Sequence, residues 1–130
     1  MKLKFIKAED IDHNAKATVH LSGKLGFSSG AVEYLQISED KTIQFAINEE
    51  NAADLNLYAV LYDGEREGAY RISKAGDYFN VNTKNLFDSL DVDYRSTKII
   101  YDIIKGDYEG TPIIKFLRRE ISKKKKGMST

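Results

Sequence analysis

Lys115, Arg118, Arg119 and Lys123, Lys124, Lys125 and Lys126 stand close together in "KFLRREISKKKK". Fixed cations at this density neutralise phosphates by releasing the counterions condensed on a nucleic acid, and a basic tail can follow a backbone without reading bases. Lys24 in "SGKLG" and Lys74 in "KAGDY" add a cation beside each of two glycine turns, where backbone N–H groups can face an anion. Neither stretch has the Gly-x4-Gly-Lys-Ser/Thr spacing of a phosphate-binding loop, so a plain structural turn is the competing role. Aromatic rings supply the other half of single-strand binding, because every base has a face to stack. Tyr58 and Tyr62 share one side of the segment "LNLYAVLYD", and Tyr78, Phe79, Tyr101 and Tyr108 lie near turns or in the last hairpin. Core packing competes for each of these rings.

Catalytic chemistry has thinner support. His13 and His20 have no second imidazole at metal-ligand spacing and no serine marked as a nucleophile. The carboxylates of "EDIDHN" and "DVDYRS" lack the oxygen-ligand spacing of a calcium loop and read as solvated acidic loops. With no cysteine, thiolate catalysis, disulfides and cysteine-ligated zinc are excluded. The expectation is a protein that is not an enzyme, with no cofactor and no metal.

The chain has 130 residues, 42% hydrophobic and 31% charged, which suits one domain with its own core. Lys plus Arg and Asp plus Glu are 20 each, so any attraction to polyanions must be local. The start, "MKLKFIKAEDIDHN", places charges where a signal peptide needs an apolar run, and no later run approaches membrane-spanning length. A cytoplasmic location is expected, with no membrane partner; a homodimer is compatible with this size.

Elements follow from periodicity. Leu3 to Lys7 alternates, and in "ATVHLSG" Val19 and Leu21 alternate with polar neighbours until Gly23 ends the strand. "SSGAVEYLQI" spaces Ala31, Val32, Leu35 and Ile37 for a short helix capped by Ser28 or Ser29. "KTIQFAIN" puts Ile43, Phe45 and Ile47 on one face, a loop carries Glu49, Glu50 and Asp54, and the next strand closes at Asp63-Gly64. The order then recurs. "YRISKAG" is a strand, "DYFNV" an extended piece, and "NTKNLFDSLDV" a helix capped by Asn82 or Thr83. "KIIYDIIKGD" and "TPIIKFLRRE" form a hairpin with Pro112 at its edge.

Val19 and Gly23 match Ile72 and Gly76; Ala31, Val32, Leu35 and Ile37 match Leu86, Phe87, Leu90 and Val92; Ile43, Phe45 and Ile47 match Ile99, Tyr101 and Ile103; Leu57 and Leu61 match Ile113 and Leu117. The pattern predicts an α+β, mainly β domain spanning 1–130. Its internally duplicated strand-turn-helix-hairpin units, about 16–64 and 69–121, would pack about a pseudo-two-fold axis, with 122–130 as a basic flexible tail.

The stretches "GKLGFS" and "VEYLQI", a Gly-basic turn and a short helix ending in Leu-x-Ile before a hairpin, resemble the swapped-hairpin unit of the AbrB and SpoVT transcriptional regulators. In another frame, Lys41 to Val81 followed by the helix from Asn82 is similar to the four-strands-then-helix unit of the PC4 and Whirly single-strand binders. Both resemblances imply DNA as partner. The functional expectation is a small nucleic-acid-binding or regulatory protein, single-stranded and duplex DNA both being open. Its candidate contacts are Lys24, Lys74, Tyr58, Tyr62, Lys115, Arg118, Arg119 and Lys123 to Lys126. The alternative is a protein-interaction module holding a partner on the acidic face around Glu49, Glu50 and Asp54 or on an exposed strand edge.

Overall fold

A computed structural model of the chain describes residues 14–122 together with Met1, Leu3 and Phe5. The segment 3–7, the loop through His13 and the cluster 123–126 lie partly or wholly outside the described residues. The elements are β1 (Lys16–Val19), β2 (Leu25–Phe27), α1 (Ser29–Leu35), β3 (Lys41–Ala46), β4 (Leu57–Asp63), β5 (Tyr70–Ala75), β6 (Tyr78–Val81), α2 (Lys84–Ser89), β7 (Thr97–Tyr108) and β8 (Thr111–Ser122). The strands close into an antiparallel barrel in the order β1-β2-β6-β5-β3-β4-β8-β7, with β7 paired back to β1.

Each strand turns at least one apolar side chain inward. Val19, Leu25, Ile43, Leu57, Ile72, Val81, Ile99 and Phe116 are all buried, one from each of the strands β1 to β8. A barrel of this strand number has an interior that side chains just fill. Phe116 meets Tyr101 edge-on with centroids 6.1 Å apart and Phe45 at 5.6 Å, while Phe87 stacks on Tyr101 at 6.3 Å.

The barrel consists of four hairpins, β1–β2, β6–β5, β3–β4 and β8–β7, and neighbouring hairpins always come from different halves of the chain. Hairpin β1–β2 shares no ladder with hairpin β3–β4. It is flanked by β7 and β6. Closure therefore depends on contacts distant in sequence, and the long β7–β8 hairpin runs past its ladders with β1, which span Ile99 to Asp102, and with β4, which span Ile114 to Phe116.

The helices sit where local chemistry stops the strands. Ser28 caps α1 by accepting from the Ala31 amide at 3.1 Å, and its hydroxyl donates to the Asn14 carbonyl at 3.0 Å. Thr83 holds the cap position of α2, but its hydroxyl accepts no helix amide and instead donates to the Gly23 carbonyl at 2.9 Å. That bond ties α2 to the β1–β2 loop. Gly23 lies at φ +88°, and a Cβ there would come within 2.8 Å of the Lys84 side chain, so only glycine suits both its conformation and its crowding.

Three local expectations need correction. Leu25–Phe27, read as part of a glycine turn, is a strand between β1 and β6. Leu21 is exposed because the backbone turns after Val19, closed by the His20 amide on the Lys24 carbonyl at 2.9 Å. Ile47 is exposed as well, since β3 ends at Ala46. Pro112 pairs with Asp107 of β7 and lies beyond the β4 ladder, which stops at Ala59 and Ile114, so its missing N–H interrupts no pairing with β4.

Because every inter-hairpin ladder joins opposite halves, cutting the exposed loop between Asp63 and Gly68 is expected to give two fragments that each lack cooperative thermal unfolding. An equimolar mixture should regain it, as circular dichroism can follow. A half that melts cooperatively alone would contradict this dependence.

Candidate nucleic-acid interface

Alternation along β1, β7 and β8 sends Ala17, Ile99, Tyr101, Ile103, Ile114 and Phe116 inward, so the intervening residues form the outer face. The registers set these in rows: Thr18 beside Ile100 beside Arg119, and Lys16 beside Asp102 beside Leu117. A further row joins Ile104 to Lys115 and Lys115 to Tyr58 of β4. With exposed Lys98, the face carries Lys16, Lys98, Lys115 and Arg119, and among the described residues Asp102 is the only carboxylate at an outward position of these three strands. β8 ends at Ser122, which pairs with Thr97 next to Lys98.

Asp102 organises the cations. Its carboxylate accepts from Lys16 Nζ at 3.0 Å and from Arg119 Nε at 2.7 Å. Partial burial alone would raise the Asp102 pKa, but the hydrogen bonds and charges of Lys16 and Arg119 outweigh it and hold the carboxyl below its usual range. The three groups are about one-third to one-half exposed, so the pairs add little stability. Their consequence is placement, because two long cationic side chains are held over the sheet at fixed positions.

The other expected contacts scatter. Arg118 has the parity of Phe116, so it points into the end of the barrel with 13% of its side chain exposed, its guanidinium 2.9 Å from Glu120 and its Nε buried without a partner. It is a barrel-end charge and not a surface phosphate contact. Lys24 and Lys74 flank opposite ends of the β2–β6 ladder, which pairs Leu25 with Val81 and Phe27 with Phe79. Lys74 lies 5.7 Å from the Phe79 ring centroid. Tyr58 and Tyr62 do face outward, but both are half-buried and engaged. Tyr58 donates to Asp54 at 2.6 Å, and Tyr62 donates to Gln44 at 3.3 Å beneath the Arg66 guanidinium. Lys123 to Lys126 lie outside the described residues.

Asp54, part of the acidic alternative, also accepts from the Asn48 amide and the Asn56 backbone N–H. Its hydrogen bond from Tyr58 is the largest of the causes holding its pKa down. Glu49 and Glu50 remain exposed. Lys16 and Lys98 were missed in the sequence because each is an isolated lysine. Only the barrel registers set them beside Arg119 and Lys115.

Among the described residues no group of His, Asp and Glu is arranged to hold a metal ion, and no helix is long and apolar enough to cross a membrane. No family model, curated protein or solved structure matches this chain.

Among the described residues Tyr101 is the titratable group most altered by the fold. Burial pushes its phenol up to about 12, Arg118 pulls the other way and Glu120 adds to the rise. A raised pKa in the folded state stabilises the fold fully below the unfolded value near 10 and is lost as pH rises toward 12. Chemical denaturation across that window should lose about 2–3 kcal/mol that Tyr101→Phe does not lose. Identical alkaline slopes for both proteins would rule out a buried phenol.

Proposed function

We propose that this protein is a non-enzymatic nucleic-acid-binding or regulatory protein that holds the phosphate backbone on the outer face of β1, β7 and β8. The observation that carries the reading is the charge imbalance of that face: Lys16, Lys98, Lys115 and Arg119 against the single carboxylate of Asp102, on a chain of zero formal net charge. A local basic sheet on a neutral body attracts a polyanion in one orientation, and the lysines from Lys123 onward continue from the end of β8. Backbone contacts of this kind position a strand without specifying its sequence.

An internal duplication and the AbrB-like resemblance form part of the same proposal. Exchanging β1–β4 with β5–β8 carries the ring order onto itself, and the ladders β2–β6 and β4–β8 then join equivalent strands. The alternation of hairpins from the two halves supports a swapped-hairpin pseudo-dimer. It favours that frame over the four-strand Whirly-like one, in which β4 and β5 would be neighbours; the barrel sets β3 beside β5. Leu57 faces inward whereas Ile113 has the outward parity of Lys115, so the registers disfavour Ile113 as the counterpart of Leu57.

Anisotropy titrations of labelled single-stranded and duplex DNA at two or more salt concentrations test the function. The natural protein should bind with a salt-dependent affinity. Lys98→Glu combined with Arg119→Glu should weaken binding at least tenfold and flatten the logarithmic salt slope by about 0.7–0.9 for each phosphate that the variant no longer neutralises. Asp102→Asn should tighten binding severalfold, since it removes the only outward carboxylate, while Arg118→Met should leave the slope unchanged. No binding at low salt, or equal loss from Arg118→Met, would overturn the assignment.

A further inference from the structure

The outer-face row continues past Thr18 in the other direction. Thr18 pairs with Gly26 of β2, Gly26 with Asn80 of β6, and Asn80 with Ser73 of β5. Gly26 therefore occupies an outward position in the middle of a four-strand surface and presents no side chain. A groove of about 490 Å³ lies there, lined by Thr18, His20, Gly26, Tyr78 and Asn80 among others. A Cβ on Gly26 would sit 2.3 Å from His20 Nε2, so the imidazole lies across the glycine as part of the groove wall. Tyr78, 74% exposed, stands at the rim.

We infer that this groove receives a single unpaired nucleobase from a strand whose phosphates run over the basic face. The inference rests on the proposed function and names its substrate class as single-stranded nucleic acid. The chemistry matches a flat aromatic group with a polar edge. Tyr78 and His20 offer rings for stacking, and sequence-tolerant stacking of this kind is the common mode of single-strand binding. Asn80 contributes an amide with two donors and an acceptor, and Thr18 a hydroxyl that can do either, to meet a base edge. The bare glycine makes room for the His20 imidazole to lie over the strand as part of the groove wall. Continuity with the cations decides for a base over an aromatic protein side chain. Lys16 is the next outward residue of β1, and Arg119 stands three strand spacings from Gly26, roughly 14 Å, so one short strand reaches both. A duplex keeps its base faces stacked and leaves the groove empty.

The test measures full-length protein against a labelled single strand, an abasic strand of equal length and charge, and the corresponding duplex. Tyr78→Ala, an exposed substitution that leaves the core intact, is expected to weaken single-strand binding by about 5- to 100-fold, without changing duplex affinity or the salt slope. Gly26→Val, with thermal unfolding as a check on its fold, should displace the imidazole and have the same selective effect. The abasic strand should bind the natural protein no better than Tyr78→Ala binds the single strand. If Tyr78→Ala and the abasic strand both bind like their controls while the Lys98→Glu, Arg119→Glu double variant loses affinity, the groove inference falls and the phosphate-binding function stands. If the natural protein binds no nucleic acid, both fall.

Discussion

Everything in this molecule depends on four hairpins that close a ring only by alternating between the two halves of the chain. A lone antiparallel hairpin is marginal in water because it buries one face at most. Hairpins β1–β2 and β3–β4 share no ladder, so the first half has no means of completing its own sheet. Its apolar faces are covered when β6–β5 and β8–β7 are inserted between them. Closure pairs each strand on both sides over part of its length, and it aims alternate residues of all eight strands at one interior. The aromatic cluster of Phe45, Phe87, Tyr101 and Phe116 fills that interior. Helix α2 contributes Phe87 because the Thr83 hydroxyl fastens the helix start to Gly23.

The same alternation produces the outer surface. A residue inside the barrel faces hydrocarbon, so charges fall on the outward positions, and the registers decide which of them become neighbours. Lys16 and Arg119 are far apart in sequence, yet both reach Asp102. Where parity sends a charge inward, as at Arg118, the fold accommodates it at the barrel end beside Glu120 and Tyr101. One strand, β8, thus carries two consecutive arginines with unrelated surroundings. The groove at Gly26 has the same origin, since a missing side chain forms a depression only if its neighbours across the sheet keep theirs.

Much of the architecture was legible in the residues. Clean alternation marked β3, β4 and β7; Ser28 marked the start of α1, and Gly23, Gly64 and Gly76 marked turns with positive φ. Strand β2 escaped notice because three residues between the Gly23 turn and the Ser28 cap of α1 carry too little periodicity to separate a strand from a loop. Leu21 and Ile47 misled for a related reason: each continues an alternating pattern past the point where the backbone leaves the sheet.

The interface was harder to see. A run such as "KFLRREISKKKK" is visible because its charges are close in sequence, whereas Lys16 and Lys98 are isolated lysines that only a ladder register can assemble. Asp102, Thr18, Gly26 and Asn80 have no local signature at all. What the sequence determined by itself is whatever depends on local spacing: the mainly β class, the hairpin turns, the two short helices and the apolar residues destined for the core. Which hairpins are neighbours, which arginine faces solvent and which glycine opens a groove were decided only when the barrel closed, because strand register couples residues through ladders and not through the chain.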